Sequence, residues 1–436
     1  MAIIQQISLF KWQDDIEILG DLERLKLALE NLPDEQLMSS LESERGRGRD
    51  DYPIRSVWNS ILAGIVFQHP STASLIRELN RNVQLRYLCG FDHINKVPQV
   101  HNYSRFIARL LQHQEELDLI FTTLVKDQMA VLPDFGQRLA MDSKYIQSYA
   151  QHQNKHTKED RRRDTDANLG MKKYHGIHKD GTPWEKVVKC FGFKLHLIVD
   201  ATYELLACYH VTPAADSDVI EGHNLVDKLA AEQAKIAKQC RYLSADKGYD
   251  DSKPINKLMD EPFLIKPIID TRRLWKSENE KEVPGYKTVN YNEQGQVFCY
   301  DLQGGIRRTM ICDGYESTRN CLRKKCPAKA YGIECASYGR CPCQGGVRIP
   351  LETDYRIFTA VARSSYKCER ENNHRTSVER VNGRLDFSLG FDKHTIRGKK
   401  KMTMHCSLAL ILMLTMALGR IRQKQPDLMR SLVRTA

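Results

Sequence analysis

Arg138-Leu139-Ala140-Met141-Asp142 and Arg241-Tyr242-Leu243-Ser244-Ala245-Asp246 are the two stretches on which the fold turns. Each is a short apolar run of strand type that ends on an aspartate. Between them, residues 191–200 and 204–211 read as consecutive strands joined by a short turn, so they form a hairpin. Residues 217–238 carry a helical stripe of Val219, Ile220, Leu225, Val226 and Leu229. Beyond Asp246, residues 253–259 read as a helix and residues 263–269 as a further strand. The resulting order is strand, strand, strand, helix, strand, helix, strand, which departs from the regular alternation of a dinucleotide-binding fold.

That order is the one of a ribonuclease H-like core, an α/β fold in which the first and fourth strands lie side by side. Aspartates at their ends then converge, although a lone Asp at a strand end is most often a turn former or cap. A third carboxylate, Glu379, lies in the helical segment Arg375-Thr376-Ser377-Val378-Glu379-Arg380. Arg375 is four residues before it, so both side chains share a helix face, and the arginine can hold the carboxylate and neutralise phosphate. Asp142, Asp246 and Glu379 offer the hard oxygen ligands that two Mg²⁺ ions require, and sites of that kind cut or join nucleic acid.

The rest of the chain is compatible with a polyanionic partner. Its 436 residues include 66 Lys and Arg against 55 Asp and Glu, a formal charge of +11. Residues 15–47 have a helical apolar pattern, and the Gly- and Arg-rich residues 44–51 look like a linker. Several short helices follow from Tyr52, and Arg77, Arg81, Arg86, Arg105 and Arg109 are candidate phosphate contacts on them. The charge-dense residues 155–166 read as a loop. No secretory leader is expected from residues 1–15, and the apolar run 406–419 falls short of the roughly 20 residues that span a bilayer, so it is expected to be a core helix.

Residues 271–360 interrupt the core between the second Asp and the Glu, and they carry a cysteine cluster. Cys321, Cys326, Cys335, Cys341 and Cys343 are candidate ligands of a structural Zn²⁺, with Cys312 nearby, although the spacing lacks two Cys-x-x-Cys knuckles. The expected organisation is a helical arm (1–51), a helical DNA-binding domain (52–130), the first part of the core (131–270), the cysteine-rich insertion (271–360) and the second part of the core (361–436).

Over nearly its whole length the sequence resembles the bacterial insertion-sequence transposases with an Asp-Asp-Glu triad. Tyr52-Pro53-Ile54-Arg55 through Arg105-Phe106 is similar to their amino-terminal helical domain. Met141-Asp142-Ser143 resembles the first catalytic motif, Val211-Thr212-Pro213-Ala214 the turn after the third strand, and Ala245-Asp246-Lys247-Gly248-Tyr249 the second motif. The segment around Arg375 and Glu379 resembles the third, with two departures: Asn372 stands where the family has Tyr, and Asp386 where it has Lys.

The resemblance implies cleavage at the inverted-repeat ends of a mobile element and joining of the 3′ hydroxyls to target DNA. It further implies two Mg²⁺ or Mn²⁺ ions, double-stranded DNA as partner, a homodimer, no membrane, and a cytoplasmic place at the nucleoid. Lys247, Arg384 and Lys393 join Arg77, Arg81 and Arg105 as DNA contacts, with Arg384, Lys393 or Lys399-Lys400-Lys401 replacing the missing Lys. Two alternatives stay open: a stand-alone nuclease of the same fold, and an inactive DNA-binding relic, for which the two departures speak.

Overall fold

The structure, a computed structural model, describes residues 20–45, 52–91, 97–152, 162–178, 180–276, 280–301 and 305–432. Residues 1–19, the 46–51 part of the linker and the 155–161 part of the charged loop lie outside the described residues.

The chain opens with helices α1 (Glu23–Asn31), α2 (Glu35–Arg45), α3 (Ile54–Val66), α4 (Thr72–Arg81), α5 (Val83–Leu88), α6 (Val100–Leu110) and α7 (Gln114–Val131). The single helical pattern of residues 15–47 resolves into two helices because Pro33 lacks an N–H and drives Leu32 into extended backbone (φ −81°, ψ 122°). Asp34, just past that break, is buried and accepts from Trp58 Nε1 and Arg55 Nη1, each at 2.6 Å, which ties the α1–α2 corner to α3.

The central sheet follows: β1 (Arg138–Gln147), β2 (Asn168–Ile177), β3 (Pro183–Asp200), β4 (Leu205–Pro213), then α8 (Asp218–Glu232), α9 (Ala234–Gln239), β5 (Tyr242–Ala245), α10 (Ser252–Met259) and β6 (Lys266–Ile269). β3 runs antiparallel to β1 and to β4, while β5 is parallel to β1 and β6 parallel to β5. This is the ribonuclease H-like arrangement that the element order implied. Three details differ from the sequence reading. β1 continues to Gln147, so Asp142 lies inside the strand and does not end it. β2 pairs with the front half of a long β3, making a two-stranded ribbon whose β3 side is exposed until Lys189. The helical stretch 217–238 breaks at Gln233 into two helices.

Two small antiparallel sheets come next. One holds β7 (Lys281–Val283), β8 (Tyr286–Tyr291), β9 (Val297–Tyr300) and β10 (Arg307–Thr309). The other holds β11 (Ile311–Glu316), β12 (Cys321–Lys325) and, after α11 (Pro327–Tyr331), β13 (Val347–Pro350). They share a hydrophobic core of their own, which includes Val283, Val297, Leu322 and Ile349.

The chain closes with α12 (Tyr366–Asn372), α13 (Thr376–Leu389) and α14 (Lys399–Arg422). α14 is long and apolar enough to cross a membrane, but 89% of its most apolar window is buried among α1, α7 and β4. A helix apolar on all sides belongs in a core. Gly419 permits that packing, since a Cβ there would fall 2.7 Å from Leu27 Cδ1. Helices and sheet thereby share one continuous hydrophobic core.

Candidate active site

The β1–β5 pairing puts Met141 opposite Ala245 in parallel register, so the next residue on each strand, Asp142 and Asp246, emerges side by side. β5 stops there because Asp246 caps a tight turn over Lys247–Tyr249, its Oδ1 accepting from Gly248 N at 2.8 Å. Asp142 Oδ1 accepts from Ser143 N at 2.7 Å. Burial, and then the charge of Asp246, push the Asp142 carboxyl up to about 6, while the Ser143 N–H, Lys172 and Arg375 pull the other way.

Glu379 comes from the first turn of α13. Its side chain is 54% exposed, and Arg375 Nη1 donates to its Oε1 at 2.9 Å. Arg375 therefore touches Glu379 and acts on Asp142 at once. The helix is fixed by Glu204, a buried residue at the β3–β4 turn with φ +56°. Its carboxylate takes Arg380 Nε at 2.5 Å and Arg384 Nη1 at 2.8 Å from α13, and Arg430 Nη1 at 3.4 Å from the chain's end. Burial alone would raise this carboxyl, but the arginines outweigh it and hold it below the usual range. α12 is stitched to the sheet by Glu371, which accepts from Arg138 Nε on β1 at 3.1 Å.

Beside Asp142 runs a polar network that no local motif announced. Ser143 Oγ donates to Asp218 Oδ1 at 3.0 Å and accepts from Lys172 Nζ at 3.3 Å. Lys194 Nζ binds Asp218 Oδ1 at 2.9 Å and the Asp216 carbonyl at 2.7 Å. These residues come from β1, β2, β3 and α8, so only the sheet pairing brings them together. Tyr249, fully buried after the Asp246 turn, packs where Gly222 leaves room: a Cβ there would sit 2.9 Å from its ring.

A second network lies past that turn. Asp250 is fully buried and takes Arg356 Nη1 at 2.8 Å, Arg363 Nη2 at 2.9 Å and the Arg272 backbone N–H at 2.8 Å. Arg356 also binds Glu293, so the small-sheet segment is anchored to the residues that follow Asp246.

The expected DNA contacts fall into two groups. Arg77, Arg81 and Arg105 are exposed on α4 and α6, Arg81 paired with Glu78 at 2.6 Å, and Lys247 is exposed beside Asp246. Lys393 is exposed after α13, on the wall of a cleft of about 690 Å³ that His69, Arg163, Arg397 and Lys401 also line. Arg384 departs from the expectation, because Glu204 holds it inward and only 14% of its side chain is exposed. Arg86 is also used internally, donating to the Leu79 and Asn80 carbonyls.

The two departures from the triad motif have local partners. Asn372 Nδ2 donates to Asp270 Oδ1 at 2.9 Å. Asp386 is bound at 2.9 Å by Lys144 Nζ, which stands two residues after Asp142 on β1 and also reaches Asp392 at 3.1 Å. A cation thus faces the position from the strand and not from the helix.

Among the described residues, no group of three or more His, Cys, Asp or Glu side chains is already arranged to hold a metal ion. The donor chemistry nevertheless fits a divalent cation. Asp142, buried and facing the charge of Asp246, resists ionisation, which a cation would relieve, and Arg375, which acts on Asp142, also binds Glu379.

Residues 133–415 match the family described as Transposase DDE domain, and residues 16–109 match that described as Transposase domain (DUF772). The first match spans well over half of the chain, so the protein belongs to the transposase DDE domain family. It is accordingly a DNA transposase of the insertion-sequence type, a metal-dependent enzyme of DNA cleavage and strand transfer. No curated protein matches the sequence. Among solved structures, a piggyBac transposase synaptic complex with hairpin DNA aligns over 96% of this chain and 86% of that one, at 11% identity and a TM-score of 0.29.

Proposed function

We propose that this transposase cuts at the inverted-repeat ends of an insertion sequence and joins the freed 3′ hydroxyls to target DNA, using Asp142, Asp246 and Glu379. The observation that carries the reading is the emergence of Asp142 and Asp246 side by side from parallel strands, with Arg375 spanning to Glu379. Two Mg²⁺ or Mn²⁺ ions held by these carboxylates supply Lewis acidity and an activated water or hydroxyl when bound. The remaining work belongs to the chain. Arg375 orients Glu379 and offsets charge on the phosphate, while Lys172 and Lys194 fix Ser143 and Asp218 behind Asp142.

Lys247 and Lys393 grip backbone phosphates near the cut, and Arg77, Arg81 and Arg105 bind DNA further away. In this reading residues 1–51 are an arm, 52–130 the DNA-binding domain, 131–270 and 361–436 the two parts of the core, and 271–360 a cysteine-rich insertion. A homodimer at the nucleoid holds both element ends.

The test is cleavage and joining of a plasmid carrying the gene with its flanking DNA, in Mg²⁺ and in EDTA, for wild type and Asp246→Ala. Metal-dependent breaks at the flanks, followed by joined products and lost in the variant, are expected. Breaks without joining would mean a nuclease, and binding without breaks in either protein a regulatory relic.

A further inference from the structure

The core of the small sheets contains sulfur as well as hydrocarbon. Cys299 on β9, Cys326 before α11, Cys335, and Cys341 and Cys343 before β13 all line one enclosed cavity of about 10 Å³, room for a single water-sized sphere. They reach it from well-separated parts of the segment. Cys299, Cys326 and Cys343 are buried, and Cys299 hydrogen bonds with Cys343. The Cys341 and Cys343 sulfurs are 2.8 Å apart, too far for a disulfide of about 2.05 Å. All thirteen cysteines are free thiols.

The chain around the cavity is built of turns. Cys341-Pro342-Cys343 is followed by a reversal in which Gln344 N donates to the Cys341 carbonyl at 3.1 Å and Gly346 N to the Cys343 carbonyl at 3.0 Å, with Gly346 at φ +90°. Arg308 brings a cation to the rim, its Nη1 lying 4.0 Å from Cys335 Sγ. Cys321, an expected ligand, is elsewhere: it sits on β12, in register with Glu316 and Pro350, and does not line the cavity. Cys299 takes its place, a residue that sequence spacing did not connect with the others.

We propose that this cavity is the site of one structural Zn²⁺ ion, held by Cys299, Cys326, Cys335 and one thiol of the Cys341-Pro342-Cys343 pair. Two ligands about 2.3 Å from a tetrahedral Zn²⁺ lie ~3.8 Å apart, so the Cys341 and Cys343 sulfurs, 2.8 Å apart, do not both ligate and one of them stays outside the set. No three of these thiols stand ready as ligands, so the turns around the cavity rearrange as the ion enters. Four thiols lose their protons to solvent as four Zn–S bonds form, giving a site of net charge −2 that faces the Arg308–Asp301 pair. No electron is transferred. The ion takes no part in DNA chemistry, and it ties together turns from separate parts of the small-sheet segment.

The experiment is metal analysis of full-length protein purified without chelator, beside Cys299→Ser, Cys326→Ser and Cys321→Ser. One Zn²⁺ per chain is expected in wild type and in Cys321→Ser, with at least a fivefold loss in the other two. Should those variants fail to fold, wild-type protein stripped of metal and titrated with Co²⁺ gives a second readout, the absorption bands of tetrahedral thiolate-bound Co²⁺ saturating at one equivalent. Metal-free wild type that gives no such bands would overturn the proposal. So would equal zinc loss in Cys321→Ser, or an intact mass two protons short that reveals a Cys341–Cys343 disulfide. None of these outcomes depends on the catalytic reading, which DNA cleavage tests separately.

Discussion

Around α14 the chain buries Leu408, Leu410, Ile411, Leu412 and Leu414 against helices from its amino-terminal third and against the central sheet, in one uninterrupted apolar core. The small sheets enclose far fewer apolar residues, and Cys299, Cys326 and Cys343 are among them. The first region is held by hydrophobic area. The second relies on a buried ion network at Asp250 and on its thiols, interactions that are directional and sensitive to one missing partner. Asp246, one of the proposed catalytic carboxylates, lies four residues before Asp250, which joins the two.

That contrast is broken first at the seam. Asp142→Asn should leave thermal stability within a few degrees of wild type while lowering DNA cleavage by about 10³-fold, because a lost cation ligand is worth several kcal/mol in the transition state. Cleavage rates beside a melting curve check both halves, and retained activity would remove Asp142 from the site. Leu410→Ala, deep in α14, should cost about 2–5 kcal/mol of global stability by urea denaturation, and a loss under 1 kcal/mol would mean that the large core is not what holds the molecule.

Arg356→Met should cost about 3 kcal/mol, but locally, since Asp250 keeps Arg363 and loses one of two guanidiniums. Hydrogen exchange should rise in residues 272–300 and stay unchanged in α14; a uniform rise would show that the two regions unfold as one. The smallest effect concerns pH. Burial lowers the His196 imidazole to about 3, so it is neutral in the folded protein. Its contribution is complete above the unfolded value of about 6.5 and is lost as pH falls towards 3, by at most about 1.4 kcal/mol per pH unit. His196→Gln should flatten the stability profile between pH 6.5 and 5, and an unchanged slope would assign that limb to other groups.

The parts legible in the sequence were those with local signatures. The motif at Asp246 and the apolar run of α14 carried their own pattern, and the strand order around them gave the sheet. β2 escaped because Lys172, Lys173, Lys186 and Lys189 make its ribbon with β3 look like solvated coil; pairing between the strands, not burial, forms it. Arg384 looked like a DNA contact because nothing near it in sequence is Glu204. Lys144 opposite Asp386 and Cys299 beside Cys343 were invisible for the same reason, since β1 meets α13, and β9 meets the turn before β13, only in the folded chain.

The position of α14 has a consequence for timing. It packs against α1 and α7, yet it begins at Lys399, so the first helices made wait for the last to cover them. At synthesis rates of about 5–20 residues per second, the nascent chain spends on the order of tens of seconds with that apolar face open. Glu379, too, reaches the sheet only after the small sheets have been made. A chain released early therefore has Asp142 and Asp246 but neither Glu379 nor a closed interior, so on the proposed assignment a partial product meets DNA with an incomplete site.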